Sequence, residues 1–576
     1  MSDRLDRRAF VTYFSSIGLG GTLLPGALYA LAQEQERVTR EMLVQAEALA
    51  GLEFTDAERE KMLNGLNNTR RNLEQIRTVT LANAVPPAVQ FDPVLPGMTF
   101  ETERRRFRYT RPRNVRRPAN LEAVAFWPVT QLAELVRTKQ VTPSELTRMY
   151  LDRLKRYDPV LHAVVSLTEE RALAQAAEAD REIARGRYRG PLHGIPWGAK
   201  DLFAVAGYLT TWGAEPYQEQ AFEYDATVVE RLDAAGAILV AKLTLGALAQ
   251  GDRWHGGMTR NPWKPEEGSS GSSAGPGAAT AAGLVGFAIG TETRGSIVSP
   301  ATRNGVTGMR PTFGRVSRHG AMALAWSMDK VGPMCRTVED CALVLDAIRG
   351  PDGRDPSVRL DLPFNWDPAI DVRKLRVGWY ASAFATTDRE GRLNDDDQRA
   401  LATLRALVPE SVPVDLPDDV PVNPLSIILI AEAAAAFDEL TRSGRDDLME
   451  ETSTWPNAFR QARFIPAVEY INANRIRTLV MRRMAETMAQ VEVLVTPSYG
   501  GTSLLLTNLT GHPSITLPAG FAKSGDRAGT PVSITFIGQL YGEAKLLAVA
   551  KAWQDATDYH LQYPPQFAVA AEAGSR

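Results

Sequence analysis

The chain has 576 residues, 44% of them apolar and 23% charged, an ordinary globular composition with length enough for one very large domain or several of about 150 residues. Its 65 Lys and Arg against 68 Asp and Glu leave a net charge of −3, which excludes a surface devoted throughout to nucleic acid or anionic lipid. Two cysteines, Cys335 and Cys341, can build neither a disulfide framework nor a four-cysteine zinc site.

Taken in chain order, Arg7, Arg8 and Phe10, the mildly apolar stretch from Val11 to Leu31, and Ala30-Leu31-Ala32 read as the three regions of a twin-arginine export signal over residues 1–32. The stretch carries Ser15, Ser16 and Pro25 and is weakly hydrophobic for a membrane anchor. The expected location is therefore periplasmic or extracellular, with no stable membrane span after signal removal. Residues 33–120 read as a helical arm followed by a Pro/Arg-rich connector. Met62, Leu66, Leu73 and Ile76 stand at helical spacing, Thr55 with Glu58 forms a capping box, and Pro86, Pro87, Pro93 and Pro96 punctuate the connector. Eight arginines between residues 101 and 120 read as a solvated face paired with carboxylates elsewhere.

Over residues 121–576 helices and strands alternate. Thr142-Pro143-Ser144-Glu145 opens a helix bearing Leu146, Met149, Tyr150 and Leu154, and Thr337 with Asp340 opens another. Short β-rich runs stand at Ala237–Leu243, Leu375–Tyr380, Val491–Thr496, Ser514–Leu517 and Val532–Ile537, each bounded by Gly or Pro. The alternation predicts an α/β layer fold with a largely buried sheet.

The Gly/Ser run from Gly268 to Gly277 leads straight into small apolar residues at 278–291, which end in a second turn, Glu292-Thr293-Arg294-Gly295-Ser296. Serines on turns at both ends of one packed helix-and-strand unit can meet, with backbone N–H groups nearby to hold an oxyanion. Gly271-Ser272-Ser273-Ala274-Gly275 formally matches a nucleophile elbow, but an elbow must follow a strand, and the preceding residues are polar and include Pro262 and Pro265. None of the six histidines falls in a motif with these serines. Lys200 follows the uncharged run Gly194-Ile195-Pro196-Trp197-Gly198-Ala199; burial there would lower its pKa from about 10.4 toward roughly 7 to 8 and make it a base. A snorkelling structural lysine accounts for the run equally well.

Together, Lys200 in GIPWGAKD, the Gly271–Gly275 turn and Thr291-Glu292-Thr293-Arg294-Gly295-Ser296-Ile297 resemble the amidase signature family. Supporting segments are Thr259–Trp263, Asp329–Met334, Gly511-His512-Pro513 and Leu517-Pro518-Ala519-Gly520, so the likeness runs from about residue 125 to about residue 560. The resemblance implies a large single α/β domain with a central mixed β-sheet covered by helices on both faces. It implies hydrolysis of a small-molecule amide, with ester and carbamate open, no cofactor or metal, and no nucleic-acid partner; a homodimer is left open.

Position by position, the resemblance implies Ser296 as nucleophile, Ser272 as a bridging serine with a cis peptide bond, and Lys200 as base. The N–H groups of Thr293, Arg294, Gly295 and Ser296 would form the oxyanion hole. Three positions depart from the family pattern: Glu292 replaces the usual Asp, Arg294 a usual Gly, and Val298 a common Arg. A Gly at 294 would serve a positive φ, and Arg294 would supply the cationic partner of Glu292 that is lost at Val298. Two alternatives are an exported amide- or peptide-binding protein that has lost turnover and the A subunit of an amidotransferase. The Phe-Gly-x-Glu-Val-Lys-Arg-Arg stretch associated with the latter is absent, the region reading LTRSGRDDLMEETSTWPNAF. Trp212, Trp254 and Trp455 are candidates for pocket lining or for core.

Overall fold

The computed structural model describes residues 37–76, 78–79, 81–388, 393–449, 454–523 and 525–569; the export signal expected at 1–32 lies outside them. Two compact units are present, one ending at Ala82 and including Phe464–Pro466, the other formed by Asn83–Arg463 and the chain from Ala467 onward. The connector, grouped by sequence with the helical arm in 33–120, thus belongs from Asn83 to the larger unit.

The smaller unit holds helices α1 (Arg40–Ala50) and α2 (Asp56–Ile76). Thr55 and Glu58 form the expected reciprocal cap: Thr55 N–H donates to Glu58 Oε2 at 2.7 Å and Glu58 N–H to Thr55 Oγ1 at 3.4 Å. The Arg59 guanidinium of α2 meets Glu47 of α1 at 2.8 Å, fastening the pair.

The larger unit is built on an eleven-stranded sheet. Its strands are β1 (Val164–Leu167), β2 (Pro196–Lys200), β3 (Ile238–Leu243), β4 (Phe287–Glu292), β5 (Thr307–Arg310), β6 (Lys330–Cys335), β7 (Val377–Tyr380), β8 (Val412–Val414), β9 (Val493–Pro497), β10 (Ser514–Phe521) and β11 (Pro531–Gly538). Their spatial order is β1-β3-β2-β4-β6-β5-β10-β11-β9-β7-β8. The sheet is mixed: β2 runs parallel to β3 and β4, whereas β6 is antiparallel to β4 and β5. Helices flank it, as expected from the resemblance. Among them α3 (Ala274–Ala281) packs against β4 and β2, α4 (Val338–Ile348) against β6, and α5 (Glu543–Asp555) against β10 and β11. The capping box of Thr142 and Glu145 starts the helix Pro143–Leu161, and Thr337 Oγ1 caps α4 by accepting from Asp340 N–H at 3.1 Å.

Packing explains the two oddest stretches of sequence. All five residues of β2 are buried, and Trp197 stacks on Phe287 of β4 with ring centroids 6.0 Å apart, so the run before Lys200 is uncharged because neighbours enclose it. Helix α3 is small-residue throughout because it is wholly buried. A Cβ on its Gly275 would stand 2.4 Å from Thr244 N and 2.6 Å from Ala163 O, so only glycine permits that approach. The arginine run behaves as a solvated face: Arg104 pairs with Asp361 and Arg117 with Glu145, each at 2.8 Å.

Gly332 is the tightest point near the sheet centre. It lies opposite Gly290 of β4, and a Cβ there would sit 1.9 Å from the Met309 carbonyl oxygen. Backbone cannot yield as a side-chain tip can, so Gly332→Ala is expected to destabilise the large unit by about 3 kcal/mol, read as a fall in the urea unfolding midpoint.

Candidate active site

Strand β2 ends on Lys200, which is fully buried. Its Nζ lies 2.8 Å from Ser272 Oγ, 2.9 Å from Thr291 Oγ1 and 3.1 Å from Ser273 Oγ. Among the described residues no carboxylate forms an ion pair with it. Burial is the largest influence on the amine and, against weaker opposing pulls from Asp329 and Glu292, lowers its pKa from 10.5 to about 7.

The surrounding hydroxyls define which proton can move. A neutral amine has two N–H donors and one lone pair, so one of three hydroxyl neighbours must donate to it. Ser273 Oγ is committed elsewhere: it donates to Thr291 O at 3.1 Å and accepts from Thr291 N–H at 3.2 Å. Ser272 and Thr291 have no other side-chain hydrogen bond among the described residues, and Ser272 makes the shortest contact.

The two serine turns meet as the sequence anticipates. The Gly271-Ser272 peptide bond is cis, Ser272 and Ser273 are buried, and Ser273 N–H donates to Ser296 O at 3.2 Å. Ser296 itself is half-buried. Among the described residues, none of the four N–H groups from Thr293 to Ser296 finds an acceptor within the protein. Thr293 is anchored by its side chain, which donates to Asp329 Oδ1 at 2.6 Å.

Two expectations about the unusual residues are corrected. Positive φ falls at Gly295, at 90°, and not at Arg294, so a side chain at 294 carries no left-handed strain. The cationic partner of Glu292 is Arg310, at the end of β5, whose guanidinium meets Glu292 Oε1 at 2.6 Å with both groups buried; Arg294 is exposed and is outside this network. Asn508 Nδ2 also donates to Oε1 at 2.8 Å, while Oε2 accepts from Ile297 N–H at 2.9 Å and Val298 N–H at 3.0 Å. Glu292 thereby clasps the turn that carries Ser296. Burial alone would raise its pKa; Arg310 and these hydrogen bonds outweigh burial and hold it at about 2.

Sequence reasoning missed Arg310, Asn508 and the hydroxyls of Ser273 and Thr291 as members of the site. Arg310 and Asn508 carry no local pattern, but a buried glutamate without its expected arginine could have prompted a search for a substitute cation. No histidine is bonded to Ser272 or Ser296 among the described residues. His512 is tied to Thr510 at 2.8 Å, His255 to Thr211 at 3.2 Å, and His193 Nδ1 accepts from Arg189 N–H at 3.1 Å. Nor does any described cluster of His, Cys, Asp or Glu suit a metal ion.

Two cavities border the serine turns. One, of about 100 Å³ and open toward solvent, is lined by Thr291 and Thr293 together with Leu202, Met322, Leu324 and Trp326. The other, of about 360 Å³, is lined by Asp252, Ser270, Ser299, Arg303, Tyr499 and Arg527. Trp212, Trp254 and Trp455 are buried instead, Trp212 packing on Tyr217 with ring centroids 4.7 Å apart and Trp455 donating to Leu248 O at 2.9 Å.

With this geometry in place, comparison with known proteins is informative. The sequence model of the Amidase family matches residues 145–506. The chain belongs to the amidase signature family. It is 35% identical to the glutamyl-tRNA(Gln) amidotransferase A chain of Thermosynechococcus vestitus over 482 residues, covering 75% of this chain and 98% of that one. It is 34% identical to the putative amidase AmiD of Mycobacterium bovis, covering 77% and 97%. The structure of a peptide amidase from Stenotrophomonas maltophilia matches with a TM-score of 0.69 at 31% identity, over 78% of this chain and all of that one.

The lowered pKa of Lys200 has a cost in stability. Below pH 7 the fold must neutralise or bury a charge that the unfolded chain solvates, and a shift from 10.5 to about 7 corresponds to about 5 kcal/mol. The penalty is full below pH 7 and fades as pH rises toward the unfolded value. Lys200→Met removes it while leaving the Ser272 and Thr291 hydroxyls short of a partner, at about 1–3 kcal/mol. The variant is therefore expected to be more stable than the parent at pH 6 and less stable at pH 10, a reversal that urea unfolding at the two pH values checks.

Proposed function

We propose that the chain is a stand-alone serine amidase that hydrolyses a carboxylic amide through an acyl-enzyme on Ser296. The observation that carries this reading is the 2.8 Å contact between a buried amine and Ser272 Oγ, beside a turn whose N–H groups are uncommitted. Neutral Lys200 takes the Ser272 proton as Ser272 takes that of Ser296, and Ser296 Oγ attacks the carbonyl carbon. The carbonyl π pair moves onto oxygen, where the N–H groups of Thr293, Arg294, Gly295 and Ser296 receive it. Collapse expels the amine, which takes the proton back from Lys200 through Ser272. Water then attacks the ester by the same relay and releases the acid. Every step uses groups of the protein, the amide and water.

Ser296→Ala is expected to abolish turnover and covalent labelling by a serine-directed fluorophosphonate while the fold persists, since one oxygen is lost. Activity of a folded Ser296→Ala protein would overturn the assignment. Because only the neutral amine works, kcat/KM is expected to rise with pH through about 7, and replacing each histidine in turn should leave that limb in place.

Relatives named as amidotransferase A subunits and as amidases stand at nearly equal identity, 35% and 34%, so identity does not choose between them. The stand-alone reading rests on the missing Phe-Gly-x-Glu-Val-Lys-Arg-Arg stretch and on the export signal. The partner is then a small-molecule amide and not a nucleic acid. We further propose export by the twin-arginine route; among the described residues no helix is long and apolar enough to cross a membrane. Exchanging Arg7 and Arg8 together for Lys is expected to leave precursor in the cytoplasm, as fractionation would show, and native material that begins at Met1 would refute the signal.

A further inference from the structure

The apolar cavity beside Thr291 and Thr293 has a wall that comes from outside the stretch matched by the family. Ala84 and Pro86 line it, whereas the family match begins at residue 145. These two residues are held there by Asn83. Its Oδ1 accepts from Ala323 N–H at 2.7 Å and its Nδ2 donates to Ala323 O at 2.8 Å. One side-chain amide thus satisfies both backbone groups of a residue 240 positions away, as a neighbouring strand would.

The clamp point continues into the catalytic turn. Next to Ala323, the N–H groups of Leu324 and Ala325 donate to Asp329 Oδ2 at 2.8 and 3.0 Å, and Asp329 Oδ1 accepts from the Thr293 hydroxyl at 2.6 Å. Asn83 therefore fixes the connector to the segment that anchors Thr293.

Asp329, Lys330, Arg318, Arg354 and Asp355 of this lining already have partners. Asp329 is saturated as described, Asp355 binds Arg318 at 3.0 Å, Arg354 pairs with Glu230, and Lys330 Nζ donates to Met328 O. Most of the surface left for a ligand is apolar, from Leu202, Met322, Leu324, Trp326 and Val331, with the His319 ring at one side and Ala84 and Pro86 closing it. Such a lining rewards apolar area, and the indole N–H of Trp326, which is buried without a partner, is left for one hydrogen-bond acceptor.

We propose that Asn83 is a positioning residue that clamps the connector at 83–86 across the substrate cleft, and that this wall selects amides bearing a bulky apolar substituent. This rests on the amidase reading above. The connector contributes contact area that a small amide cannot use, so its loss shows in KM for large substrates and leaves the proton relay untouched.

The test uses the full chain and three amides: acetamide, 4-phenylbutyramide with its bulk on the acyl side, and N-(2-phenylethyl)acetamide with its bulk on the amine side. For Asn83→Ala, KM for at least one bulky amide is expected to rise fivefold or more with kcat within twofold, while kcat/KM for acetamide stays within twofold. Equal losses on all three, or no change on any, would overturn the proposal. Should Asn83→Ala fail to fold, Ala84→Trp decides: filling the wall is expected to exclude the bulky amide and spare acetamide, and unaltered selectivity overturns the idea. Calorimetric binding of the preferred bulky amide to Ser296→Ala protein, with and without Asn83→Ala, reads the wall independently of turnover. Hydrolysis of that amide in the calorimeter would sink the role of Ser296, whereas a fivefold weaker Kd in the double variant would still uphold the clamp.

Discussion

A lysine enclosed by hydroxyls, with no carboxylate in contact, is the constraint around which this molecule is arranged. A carboxylate in contact would keep the amine protonated and useless as a base; open water would restore its ordinary pKa. Lys200 escapes both because β2 lies inside the sheet between β3 and β4 and because Ser272, Ser273 and Thr291 fill its coordination sphere. Asp329 and Glu292 are near enough to pull on it, but each is occupied with other donors, Asp329 with Thr293 and two backbone N–H groups and Glu292 with Arg310, Asn508 and the turn. Their engagement is what keeps the amine free of an ion pair.

The turn from Glu292 to Val298 shows how a departure from a family pattern can be absorbed without loss of form. Glu292 carries one methylene more than the usual aspartate, and its second oxygen reaches the N–H groups of Ile297 and Val298. With valine at 298, the balancing charge comes from β5, where Arg310 also grips Thr507 Oγ1 at 2.8 Å and His512 O at 3.0 Å. That one guanidinium joins β5, the segment around His512 and the turn that carries Ser296. Arg294, left outside, is an exposed side chain on a turn whose backbone is set by Gly295.

Legibility in sequence followed locality. The capping residues Thr55, Thr142 and Thr337 announce their helices because a cap is decided within four residues. The runs that form β3, β7, β9, β10 and β11 are β-branched and bounded by turn residues. In contrast, β4 and β6, buried along their whole length like β3 and β9, are interrupted by Gly290, Gly332 and Pro333 and so lack the β-branched run that marks a buried strand in sequence. Lys200, Ser272 and Ser296 were readable as a set through family spacing, while the run before Lys200 taken alone left a structural lysine equally plausible. Arg310 and Asn83 were not readable, since each acts on a partner fixed only by tertiary packing, 18 residues away for Arg310 and 240 for Asn83.

The parallel pairing of β2 with β4, in which Ala199 faces Ile289, carries a consequence for motion. Lys200 and Thr291 sit one and two residues beyond that rung, so their spacing is set by the ladder, where neighbouring strands lie about 4.8 Å apart. Amide hydrogen exchange at Trp197–Lys200 and Ile289–Thr291 should then proceed only through global opening, while the connector and the exposed turn at Arg294 exchange through small local fluctuations. The spacing of Lys200 and Thr291 thus persists as long as the sheet itself, while the margins around them rearrange far more often.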